Sequence, residues 1–395
     1  MNIYKPIALI LILIGSLHAQ MTWTQATANA GWSKRAGHTS VVFDNKIWVI
    51  GGDEHSSSAY YNDVWHSSNG INWTQATANA GWQTRTHHTS VVFDNKIWVL
   101  GGWDNTSTRN DVWYSSDGIN WTQATANAGW SARSGPKAVV FNDKIWLMGG
   151  STNNDVWYST DGANWTQATA SAQWPVRMAH TAVVFDNKIW VIGGCVTDNN
   201  RYNDVWFSSD GINWTQATAN ASWSARYGHT SVVFDNKMWV MGGYDGSYRN
   251  DVWYSSDGVT WIHALTNAQW SGRAIQASDV FDNKMWIIGG LTTIYPYSYR
   301  DVWYSTDLNG IEDNTQVLVD RILSDVYPNP ASSEICVHCP SSAKKVNIFN
   351  VSGKMIKEAD IFNEYTNISL KGINPGIYFL QIGNEAVTKK LVITK

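Results

Sequence analysis

The sequence is poor in the residues that most site chemistry needs. It has 3 Cys in 395 residues. Cys195 stands alone, and Cys336 and Cys339 form a single C-x-x-C. That is too few for a disulfide framework. A structural zinc site takes about four ligands, and His338 adds one nearby candidate. No metal and no cofactor are therefore expected. Charged residues make up 15% of the chain and the net charge is −4. No stretch concentrates Lys and Arg as a nucleic-acid groove would, so nucleic acid is not an expected partner. Carboxylates of one kind are almost missing: Glu54 is the sole Glu between residues 20 and 307. Long hydrophobic runs are missing too. The apolar stretch Ile7 to Ile14 is too short for a bilayer, which takes ~20 residues. With Lys5 before it and Leu17-His18-Ala19 after it, residues 1–19 read as a secretory signal. No transmembrane segment is expected.

Tryptophan is abundant, at 25 residues, and it is periodic. Asp-Val-Trp occurs six times, at Asp63, Asp111, Asp155, Asp204, Asp251 and Asp301. A Lys-[Ile/Met]-Trp segment running into Gly-Gly has its Trp at 48, 98, 146, 190, 239 and 286. A third series follows Asn or Thr at 73, 121, 165, 214 and 261, with a displaced sixth copy at Trp23. A fourth occupies 32, 82, 130, 174, 223 and 270, which leaves only Trp103 outside the four series. A period of about 40–50 residues, built from short apolar runs and turns, marks a β-propeller. The expected fold is all-β, with six blades over residues 20–307.

The first copy shows how a blade is built. His38 to Phe43 is β-branched and apolar. Asp44-Asn45 supplies a tight turn. Lys46 to Ile50 is apolar throughout and ends at Gly51-Gly52. A variable polar loop leads to Asn62 to His66, and a Ser-Ser-Asn-Gly turn leads to Ile71 to Ala76. These are four strands, a to d from the axis outward. Strands a and b read as buried on both faces, and strand d as a polar edge. The last copy has strands a, b and c but no d. The segment Thr22 to Ala26 matches strand d and has no a, b or c before it. The N-terminal strand is therefore expected to complete the last blade and close the ring.

The motif set resembles the Kelch family. It reads Arg-x-x-His, an apolar strand, Asp-Asn-Lys-[Ile/Met]-Trp, Gly-Gly, then Asn-Asp-Val-Trp and a later Trp. It departs from the commoner Kelch pattern in carrying Trp where strand b has Tyr. Segments such as Ser115 to Trp121 also look like a shortened Asp-box of sialidase-type propellers, a device that stabilises the c–d turn.

After Asp307 the Trp disappear and Ile, Val and Lys alternate. Residues 308–324 read as a linker. From 325 to 395 the chain resembles the C-terminal sorting domain of the Bacteroidetes type IX secretion system. The matching segments are Tyr327-Pro328-Asn329-Pro330, Val346 to Lys354, Pro375 to Leu380 and Lys389 to Lys395. Short alternating strands with Asn, Gly and Pro turns predict a small Ig-like β-sandwich. The resemblance implies the type IX machinery as a partner and a secreted or outer-surface location.

Strand direction puts the d–a and b–c loops on one face of the ring, and the nearly uniform a–b and c–d turns on the other. The first face carries what varies, and variable loops on a rigid frame are where binding usually resides. The candidate ligand contacts are Glu54, His55, Tyr60, Trp103, Arg109, Arg201, Tyr244, Arg249 and Tyr297. The partner expected there is an extracellular glycan or protein. Six further Arg open strand a, at 35, 85, 133, 177, 226 and 273. They pair on paper with the six Asp of strand c, or else hold an anionic ligand. The Trp32 series either packs between blades or stacks on sugars. No residue set is assigned as catalytic. The alternative is a glycan-active, sialidase-like hydrolase centred on Glu54, which would need a second carboxylate.

Overall fold

A computed structural model describes residues 21–57, 59–293 and 297–305, and most of the tail between 326 and 394. The expected signal (1–19) and linker (308–324) lie outside the described residues. The chain divides into two compact units, of which one is Gln20–Asp307.

That unit is a propeller of six four-stranded antiparallel sheets. Blade 1 has strands a (Thr39–Phe43), b (Lys46–Glu54), c (Ala59–Ser67) and d (Thr74–Thr77). The a–b turn is tight because Asp44 and Asn45 both take positive φ, 48° and 53°, as a two-residue hairpin requires. Each inner strand neighbours that of the next blade, around the whole ring from blade 1 to blade 6 and back. In blade 6, strand c (Ser298–Ser305) pairs antiparallel with Trp23–Thr27, with Trp23 opposite Ser305 and Thr24 opposite Tyr304.

The core lies between the blades rather than within them. Val41, Phe43 and Trp48 of blade 1 pack with Ile97 and Val99 of blade 2, and Trp82 closes that cluster. The Trp32 series is buried, and each member meets a Trp of the third series edge-on. Trp32 and Trp73 are 6.1 Å apart at 86°, and Trp270 and Trp23 are 6.0 Å apart at 89°. Such aromatic pairs add about 0.5–1.5 kcal/mol beyond area burial. These Trp are therefore packing residues.

The c–d turns are built as the Asp-box likeness implied. Asp117 Oδ1 accepts the N–H groups of Ile119 and Asn120 at 2.8 Å, and Ser115 Oγ accepts that of Gly118 at 2.8 Å. Gly118 has φ 72°, and a Cβ there would fall 2.1 Å from the Trp48 ring of the preceding blade. This is why Gly recurs at the turn.

The tail is a separate β-sandwich, with one sheet of three strands and one of four. Ile335, Val337 and Ile368 from the first face Val346, Ile348, Leu380 and Leu391 from the second in one core. Cys336 is a free thiol, while Cys339 lies outside the described residues.

Candidate functional site

The variable face is held by the arginines that open strand a. Arg35 Nη1 and Nη2 donate to Asp63 Oδ1 and Oδ2 at 2.7 and 2.9 Å, and Nη1 also reaches the Gly51 carbonyl at 2.8 Å. The same fork joins Arg85 to Asp111, Arg133 to Asp155, Arg177 to Asp204, Arg226 to Asp251 and Arg273 to Asp301. All six guanidinium groups are buried. They stitch the d–a loop to strand c and leave no free charge for a ligand.

At the axis the six residues just before the His38 positions form a collar. Gly37, His87, Gly135, Ala179, Gly228 and Ile275 all have positive φ, from 49° to 67°. Backbone bonds run around it, from His87 to Gly37 and Gly135 to His87 at 2.8 Å, and from Ile275 to Gly228 at 2.6 Å. His88 and His229, behind this collar, are kept neutral, chiefly by burial and then by the adjacent Arg.

The nine candidate residues fall into four groups. Glu54, His55 and Tyr60 share the b–c hairpin of blade 1. Glu54 accepts from Ser57 Oγ at 3.1 Å and from the Tyr61 hydroxyl at 3.3 Å. Trp103 and Arg109 flank the b–c hairpin of blade 2. Trp103 is half-buried, bridged through its backbone to Thr86. Arg109 Nε donates to Asp104 at 2.6 Å. Tyr297 is 42% exposed on blade 6. The fourth group is a cluster. Arg201 of blade 4 lies over Tyr244 of blade 5, 5.0 Å from its ring centre, and 5.9 Å from Tyr227. Tyr244 packs on Tyr227 at 5.5 Å and on Tyr248 at 5.0 Å. Arg249 is tied to Asp245 at 2.8 Å beside it.

Among the ten propeller arginines, Arg201 differs. Arg109 and Arg249 have carboxylates and Arg300 donates to Asn29 at 3.1 Å. The Arg201 side chain has no hydrogen bond or ion pair among the described residues, and its Nε is buried without a partner. The Tyr227 hydroxyl beside it is pushed above the usual phenol range, by burial first and then by Asp198.

Sequence reading passed over Tyr227, Tyr248 and two inner-strand residues. Tyr227 stands where other blades carry Ala36, Thr86, Ser134, Met178 and Ala274. Lys137 and Asp279 replace a Thr and a Val that recur in strand a. Each was visible as a break in the repeat, but on segments that otherwise read as frame.

Both units match known families. The chain belongs to the Kelch-repeat family: the KLHDC2/KLHL20/DRC7 Kelch-repeats domain matches residues 13–158 and 138–309. The secretion system C-terminal sorting domain matches residues 325–394, so the protein is exported by the type IX system to the outer surface or beyond. Beta-agarase A of Zobellia galactanivorans is 31% identical over 70 residues, which is 17% of this chain and 13% of that protein. The chain thus matches a small fraction of that relative's length. The solved structure of YjhT covers 70% of this chain and 96% of its own, with TM-score 0.58 and 16% identity. That likeness concerns the fold alone.

Proposed function

We propose that the protein is a secreted or surface-held binding module whose b–c and d–a face recognises an extracellular glycan or protein, with Arg201 and Tyr244 at the centre of the contact. The observation that supports this reading is the Arg201 side chain, without a partner among the described residues, lying over Tyr244 and Tyr227, with Tyr248 packed on Tyr244. Tyrosines offer apolar faces with polar tips, and a free guanidinium fork suits a carboxylate or sulfate. An acidic sugar or an acidic peptide segment fits that chemistry. Arg109 and Arg249, the other candidate Arg, are already neutralised by their own loops, so on this face Arg201 is the candidate cation left for a ligand anion. The test is a screen of the purified propeller against arrays of acidic glycans, neutral glycans and peptides, repeated with Arg201→Ala. Binding that is lost in the variant supports the reading. Binding that is unchanged moves the site elsewhere on the ring.

A hydrolase centred on Glu54 is the second reading. It is favoured by the Tyr61–Glu54 hydrogen bond, beside Arg35 at 4.6 Å from the Tyr61 ring. Turnover of reporter glycosides that Glu54→Gln abolishes would establish it in place of the first.

A further inference from the structure

The inner strands wall an axial cavity of ≈ 170 Å³. Its lining is polar and includes Thr39, Thr89, Thr181, Thr230 and one cation, Lys137. In four blades the first residue of strand a is this Thr, and it reaches across to the next blade. Thr39 Oγ1 meets His88 Nε2 at 3.0 Å and Thr181 Oγ1 meets His229 Nε2 at 3.1 Å. Thr89 Oγ1 accepts the Ala138 N–H at 3.1 Å, and Thr230 bonds Ser278. Lys137 and Ala277 hold the position in blades 3 and 6. The effect shows in the following blade each time. His180, after Lys137, has both ring nitrogens buried without partners. His38, after Ala277, has no hydrogen bond of ordinary geometry, and the Ile288 carbonyl is its polar neighbour.

Lys137 therefore occupies a position that elsewhere joins two blades, and it gains no partner in exchange. Its ammonium makes no ion pair among the described residues, and burial alone draws it down to about 8. Its charge acts on His87, His88, His180 and His229, all of which burial keeps from protonating. Lys137 is partly exposed, into this cavity, and cations so enclosed are rarely left unpaired. The cavity has room for a guest, since one of about 150 Å³ holds a benzene-sized molecule.

We propose that Lys137 and the surrounding hydroxyls form a site for a small oxyanion, a carboxylate or a sulfate, on the propeller axis. The ammonium supplies the charge. Ser90 and Ser231, whose hydroxyls have no partner among the described residues, supply donors from the wall. The site does not involve Arg201 and does not depend on the function proposed above.

The test is calorimetric titration of the intact protein with sodium acetate and with sodium sulfate at constant ionic strength, set by sodium chloride. Lys137→Thr restores the residue of four other blades, and Lys137→Met keeps most of the side-chain length without the charge. The wild type is expected to bind one or both oxyanions saturably. Both variants are expected to bind about 10- to 100-fold more weakly, the range of one charged hydrogen bond. Binding of acetate alone marks a carboxylate site, and of sulfate alone a sulfate site. No saturable binding by the wild type, or equal binding by the variants, overturns the proposal.

Discussion

Arg177 donates two parallel hydrogen bonds to Asp204, Nη1 to Oδ1 and Nη2 to Oδ2, both at 2.8 Å. A third, to the Gly193 carbonyl at 2.8 Å, reaches strand b (Lys188–Thr197). One guanidinium thus pins the d–a loop, strand b and strand c of its blade. Arg177→Ala would leave a buried carboxylate uncompensated. We expect a loss of about 3–5 kcal/mol in urea unfolding. Arg177→Lys is expected to recover only part of it, because a point charge cannot replace a planar fork. A loss no larger than that of an exposed pair, about 0–1 kcal/mol, would contradict the stitching role.

Trp23 tests the closing blade. It is buried at 3% exposure, edge-on to Trp270 across the seam between blades 5 and 6. Its strand pairs with Ser298–Ser305, and the Trp23 N–H donates to Gln269 Oε1 at 2.7 Å. Trp23→Ala is expected to cost about 3–5 kcal/mol, and deleting residues 21–27 more, since the edge of Ser298–Ser305 is then bared as well. Thermal unfolding of the deletion at the wild-type midpoint would show that the strand does not hold the ring.

Asp279 carries the clearest pH dependence. It stands where the other blades have Val41, Val91, Val139, Val183 and Val232. Burial pushes its carboxyl up to about 7 from 3.8, with the Ser40 hydroxyl opposing only in part. Below that value the folded chain holds a proton that the unfolded chain releases. Stability from this group is therefore full near pH 4, is lost as pH rises to about 7, and stays lost above. Asp279→Val is expected to remove that slope and to raise stability at about pH 8 by about 1–3 kcal/mol. Parallel stability curves for the two proteins between those pH values would refute the assignment.

The propeller was legible because its signals recur in step. Six Arg and six Asp at matched positions can pair in only one register, and the Trp series at fixed offsets mark where sheets must stack. What the repeat hid were residues whose meaning depends on ring closure. Lys137 reads as an ordinary strand residue until six inner strands surround one axis and turn it toward a shared cavity. Tyr227 comes near Arg201 only because blade 5 follows blade 4 around the ring. Conversely, Arg109 and Arg249 looked free in sequence. Asp104 and Asp245, five and four residues upstream, fold back within the same hairpins to hold them. Trp103, a candidate contact in sequence, is half-buried, and its backbone bridges to Thr86.

The measurement closest to the central claim is a binding titration with whichever ligand the arrays return, using wild type, Arg201→Ala and Tyr244→Ala. An uncommitted Arg and an aromatic at the centre of a contact are each expected to contribute about 2 kcal/mol or more. Both variants should then bind about 30-fold more weakly or worse, while unfolding at the wild-type midpoint. Wild-type affinity in both variants would place the ligand elsewhere and contradict the account.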